Sequence, residues 1–140
     1  MSWVSPPVIA TGTLVTAAMW NSNFSYLYDS GWVPLVIALG GSFSNGWSSC
    51  AGPVGGNTCG IRIIGNVVRL GGQLTGGSSG TGPGTLQAAY RPAYPVTLTG
   101  QTTITTNTVV YCSVSTGGLM VLAFASGTVP SLDGMTWTVD

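Results

Sequence analysis

A chain of 140 residues fits one domain with an added arm, and a domain near this size buries about two-thirds of the surface its unfolded chain exposes. Its only charged side chains are Arg62, Arg69, Arg91, Asp29, Asp133 and Asp140, 4% of the residues, against roughly 25% in an average soluble domain. Three scattered arginines exclude phosphate-backbone recognition of nucleic acid, and a chain without His, Lys or Glu cannot assemble a Ser-His-Asp or Cys-His arrangement.

Near-zero net charge gives little electrostatic protection against self-association, so much of the surface is expected to face protein. Although 44% of the residues are hydrophobic, no apolar run reaches the about 18 residues of a membrane-spanning helix. The first 21 residues lack the basic start of a signal peptide, which favours a cytoplasmic product. No cofactor or metal is expected, because three cysteines without a CxxC pair or a histidine make a poor zinc set.

In chain order, residues 1–30 form an extended arm around Pro6 and Pro7. A short helical turn capped by Thr16 follows, and then an apolar stripe of Phe24, Leu27 and Tyr28. A helix this short is marginal alone and must dock on something, which makes Trp3, Val15, Trp20, Phe24 and Leu27 the candidate docking residues. Residues 31–140 carry almost all the glycines and short Val- and Thr-rich stretches broken every eight to twelve residues or so, the pattern of an all-β sandwich or barrel.

Strands are expected over 31–39, 43–47, 59–64, 67–74, 96–98, 108–115, 119–125 and 135–139. Gly65-Asn66 between apolar runs predicts a tight hairpin with Gly65 at positive φ. Beyond it, Val68, Leu70, Gly72 and Leu74 share one face, and Val67, Arg69, Gly71 and Gln73 the other. Cys112 alternates with Val110 and Val114 and points into the core. Thr116-Gly117-Gly118 predicts a second hairpin, whose returning strand is apolar on both faces and so covered on both sides, and Asp133-Gly134 predicts a third turn. Residues 76–84 read as a flexible loop without core residues. Cys50 and Cys59 flank a Gly-, Pro- and Asn-containing loop, an arrangement open to a disulfide or to two free thiols.

Trp32, Trp47, Tyr90, Tyr94 and Trp137 suit either a carbohydrate-binding face or core and subunit contacts, and the low polarity of the chain favours the second. With Arg91 beside them, Trp32, Trp47, Tyr90 and Tyr94 are the candidate trimer-contact or ligand residues.

Taken together, Asp29-Ser30-Gly31-Trp32-Val33-Pro34-Leu35, then Ile61-Arg62-Ile63-Ile64-Gly65-Asn66-Val67-Val68-Arg69-Leu70-Gly71-Gly72-Gln73-Leu74, then Thr85-Leu86-Gln87-Ala88-Ala89-Tyr90-Arg91-Pro92-Ala93 resemble a head domain of tailed-bacteriophage virion proteins. The closing Ser131-Leu132-Asp133-Gly134-Met135-Thr136-Trp137 is similar to the same family, as is the opening Thr11 to Asn21 to the start of many phage virion proteins. The chain departs from the pattern at Gln87-Ala88, where the family usually has Pro-Ala.

The resemblance implies a trimeric, jelly-roll-like β-sandwich head at a virion surface, assembled in the host cytoplasm, with Arg62, Arg69 and Arg91 structural and pairing across a subunit contact. The expected role is a capsid decoration (cement) or head-fibre protein whose arm docks on the major capsid protein. A chain complete at 140 residues, with no long shaft, suits a short surface plug. The alternative is a receptor-binding module at a tail tip that holds a host glycan.

Overall fold

A computed structural model describes residues 29–101, 108–126 and 128–139. The docking candidates Trp3, Val15, Trp20, Phe24 and Leu27, the helical turn beside them and Asp140 lie outside these residues. Within them the fold is β-rich, with three antiparallel sheets. The first orders β1 (Val33–Pro34), β3 (Gly60–Ile64), β4 (Val67–Gly71) and β9 (Thr136–Thr138) side by side. The second pairs β2 (Ser48–Ala51) with β5 (Gln73–Thr75), and the third orders β6 (Val96–Gln101), β7 (Val109–Val114) and β8 (Met120–Ala123).

The alternation of apolar residues places the core where it was expected. Ile63, Val68 and Trp137 stand in register across β3, β4 and β9 and are all buried, as are Ile61 and Leu70 beside them. On β7, Val110, Cys112 and Val114 point inward. Cys112 is fully buried, and loss of hydration pushes its thiol up to about 12. Leu35, Leu74, Leu86, Met120, Leu122, Leu132 and Met135 complete one continuous apolar cluster. All three expected turns form: Gly65 takes φ 62° between β3 and β4, β7 returns as β8, and Met135 N–H closes the Asp133-Gly134 turn onto Leu132 O at 3.2 Å.

Several expectations fail for identifiable reasons. The stretch 31–39 is a strand only at β1 and then winds into one helical turn, α1 (Leu35–Ala38). The cause is Gly40-Gly41: at φ 87° and 102° they wrap the chain so that Gly40 N–H reaches Ile37 O and Gly41 N–H reaches Val36 O, the Schellman pattern that ends helices. The strand expected over 43–47 is absent, because Asn45-Gly46 is itself a turn with both residues at positive φ, 54° and 74°.

The single strand expected over 67–74 breaks at Gly72 into β4 and β5, which belong to different sheets. Gly72 has φ 98°, and a Cβ there would stand 2.2 Å from Ala51 O, so only glycine lets the chain cross at this point. The returning strand of the second hairpin, β8, is covered on one face only: Met120 and Leu122 are buried while Ala123 is exposed.

The Gly- and Ser-rich segment 76–84 is not a loose loop. It runs along the free edge of β8, where Gly80 N–H donates to Leu122 O (2.7 Å), Leu122 N–H to Thr81 O (2.9 Å) and Met120 N–H to Gly84 O (3.2 Å). From the other side Ser44 N–H donates to Pro83 O (2.8 Å) and Asn45 Nδ2 to Gly82 O (2.9 Å). Pro83 is fully buried. The absence of large side chains, read from composition as looseness, is what lets this backbone lie close against β8.

The cysteines are all free thiols, so Cys50 and Cys59 are not bridged. Cys59 is buried and its Sγ lies 3.0 Å from Ser49 Oγ, whereas Cys50 is the extra residue of a bulge in β2. Burial raises the Cys59 thiol above its ordinary range. Iodoacetamide should therefore alkylate Cys50 alone in the native protein and all three cysteines in urea, as read by intact-mass spectrometry. Rapid native labelling of Cys59 or Cys112 would contradict their burial.

Candidate functional site

The outer face of the first sheet holds most of the charge among the described residues. Because paired residues point to the same side, the register Gly60↔Gly71 and Arg62↔Arg69↔Thr136 puts two glycines and two arginines on one surface. Trp32, just ahead of β1, lies across the glycine pair: a Cβ on Gly60 would sit 3.2 Å from its ring, and one on Gly71 3.0 Å. The guanidinium carbon of Arg62 stands 6.0 Å from the ring centroid, at the outer limit of a cation–π contact.

The two arginines have different surroundings. Arg62 Nε donates to Asp29 Oδ1 at 2.8 Å and its Nη2 to Oδ2, a two-pronged ion pair. The Arg62 guanidinium, with a bond from Gly31 N–H, holds the Asp29 carboxyl down at about 2. The pair ties Asp29, which bridges Ile64, to β3. The Arg69 side chain is exposed and pairs with no described residue.

Beside Arg69 a cleft of about 340 Å³ opens between Trp32, Pro53, Gly71, Asp133 and Thr136. Asp133 reaches it from the turn before β9, and its carboxylate is held in place: Oδ1 accepts from Gly72 N–H at 2.7 Å and Oδ2 from the Ser131 hydroxyl at 3.2 Å. The cleft thus combines an indole wall, a free guanidinium, a fixed carboxylate and a hydroxyl.

The five residues proposed from sequence for trimer contact or ligand do not gather at this cleft. Trp32 forms its wall. Trp47 is 4% exposed and sits in the core, edge-on to Phe124, with its Nε1 donating to Thr81 Oγ1 at 3.1 Å. Tyr90 packs half-buried against the core, and its carbonyl accepts from Trp137 Nε1 at 2.8 Å. Arg91 turns inward, donating from Nε to Leu86 O at 2.8 Å. Within the chain, Arg62 thus has the Asp29 carboxylate as its acceptor and Arg91 has Leu86 O. Tyr94, at 79% exposure, is open.

Sequence reading missed Arg69 and Asp133 as neighbours of Trp32. Their separation along the chain left no local sign, although the alternation on β4 already set Arg69 on the outward face.

A second surface is distinguished by what it lacks. The outer face of the third sheet presents Thr97, Thr99 and Gln101 from β6, Val109, Tyr111 and Ser113 from β7, and Val121 and Ala123 from β8. None is charged, and Tyr111 and Val109 are exposed at 51% and 45%.

Among the described residues no group of three or more His, Cys, Asp or Glu side chains is placed to hold a metal, and no helix is long and apolar enough to cross a membrane. Scanned against family models and compared with curated proteins, the chain matches none of them.

Proposed function

We propose that this chain is a structural subunit of a tailed-phage particle, a capsid decoration or head-fibre protein whose jelly-roll-like sandwich head works as a homotrimer. The observation that carries the reading is the uncharged outer face of β6, β7 and β8. A surface of Thr, Ser, Val and Tyr suits its own copy: no like charges meet, and each hydroxyl both donates and accepts. A charged partner would leave its ions unpaired against this face.

The ordered segments that resemble phage head domains supply the particle and the number three. In this reading residues 1–30 dock on the major capsid protein and residues 31–140 project as the head.

Light scattering tests the assembly. The wild-type protein is expected at three times its 14.2 kDa chain mass. Tyr111→Arg, which sets an ion in the middle of the face, is expected to run as a folded single chain with an unchanged circular dichroism spectrum. A wild-type monomer at micromolar concentration, or a Tyr111→Arg trimer, would sink the assembly through this face. Cryo-electron microscopy of purified particles tests the location, where trimeric density on the capsid is expected and its absence would refute the decoration role.

A further inference from the structure

We infer that the cleft between Trp32, Arg69 and Asp133 is a binding site for a neutral pyranose sugar, free or at the end of a glycan. This does not rest on the subunit reading, since the cleft belongs to the first sheet and the proposed contact face to the third.

The chemistry selects the class. Arg62 and Arg69 are directly opposed across β3 and β4, and like charges in that position destabilise a sheet. Asp29 neutralises Arg62, whereas the exposed Arg69 side chain has no partner among the described residues and lines the same cleft as Trp32. A solvated strand arginine needs no such neighbours. Here the guanidinium shares its cleft with a carboxylate whose orientation is fixed from behind by Gly72 N–H and Ser131, while each of its oxygens keeps a second acceptor position.

One donor fork and one acceptor fork beside an apolar ring match a vicinal diol with a C–H face. The diol oxygens accept from Arg69, the hydroxyl protons go to Asp133, and the C–H face lies on Trp32. A ligand carrying a net charge fits less well, because an anion meets Asp133 and a cation meets Arg69, whereas a neutral one leaves both ions a hydrogen-bonding partner. A volume of about 340 Å³ is at the small end of the roughly 300–1,000 Å³ of small-molecule sites, which suits one or two rings rather than a long chain.

The test is a titration of the full-length ¹⁵N-labelled protein with methyl α-glucoside, methyl β-galactoside and N-acetylglucosamine as neutral probes, N-acetylneuraminic acid and glucuronate as acidic ones, and glucosamine as a cation. At least one neutral probe should move the amides of Gly71, Gly134 and Thr136 and the Trp32 indole N–H. Arg69→Gln, an exposed change that leaves the melting temperature in place, should weaken that binding roughly tenfold, the loss expected of one charge-assisted hydrogen bond. Trp32→Phe should weaken it while preserving the probe preference. Three results would overturn the site: no neutral probe acting up to about 50 mM, shifts produced by charged probes alone, or an Arg69→Gln affinity equal to wild type.

Discussion

Gly82→Ala is expected to cost about 3 kcal/mol or more and to lower the melting temperature by roughly 10 °C, at the 2–8 °C per kcal/mol of domains near this size. A Cβ on Gly82 would stand 1.5 Å from the carbonyl oxygen of Met120. That atom is main chain in β8 and cannot rotate away. The substituted segment must therefore lift from the strand edge, which breaks the bonds from Gly80 N–H to Leu122 O, from Leu122 N–H to Thr81 O and from Met120 N–H to Gly84 O. It also uncovers Pro83, which is fully buried. Urea denaturation followed by far-ultraviolet circular dichroism measures the loss. A midpoint within experimental error of wild type would mean that 76–84 is not seated against β8.

Trp47→Ala is expected to have an effect of similar size, about 4 kcal/mol, in the range for removing a buried aromatic side chain. The indole fills the space above Gly77, where a Cβ would lie 1.9 Å from the ring, and meets Phe124 at 5.7 Å between centroids. It also donates to Thr81, so the substitution opens a cavity and releases the segment that Gly82 anchors. Trp47→Phe should recover most of the packing but not the bond to Thr81. Because the two residues act on one segment, Gly82→Ala combined with Trp47→Ala should cost less than the sum of the two. A loss below about 1 kcal/mol for Trp47→Ala would return this residue to the surface.

The seating of 76–84 shows how a segment without a core side chain of its own, apart from Pro83, belongs to the core. Its hydrogen-bond partners are contributed by β8 on one side and by the Asn45-Gly46 turn on the other. That turn was legible, since Asn-Gly is a strong two-residue hairpin signal. Phe43 and Trp47 on either side of it are apolar, and so short a stretch also fits a strand. Gly40-Gly41 was similarly legible as a helix stop, but the four apolar residues before it read equally well as a buried strand, since periodicity does not separate the two over so short a run.

By itself the sequence determined the parts whose physics is local. Alternation on β3, β4 and β7 decides which side chains face inward whatever the sheet packs against, and two-residue links such as Gly65-Asn66 set register within a few residues. The charge inventory likewise follows from composition alone. Tertiary structure decided everything that depends on distant segments meeting. Asn45 reaches Gly82 across 37 positions and Trp47 reaches Thr81 across 34, so neither contact leaves a mark in any short window. Asp133 turns its carboxylate to Gly72 across 61 positions, and that folding together places it in one cleft with Trp32 and Arg69. A close approach between two backbones is a property of the pair, and glycine records only that something comes near, not what.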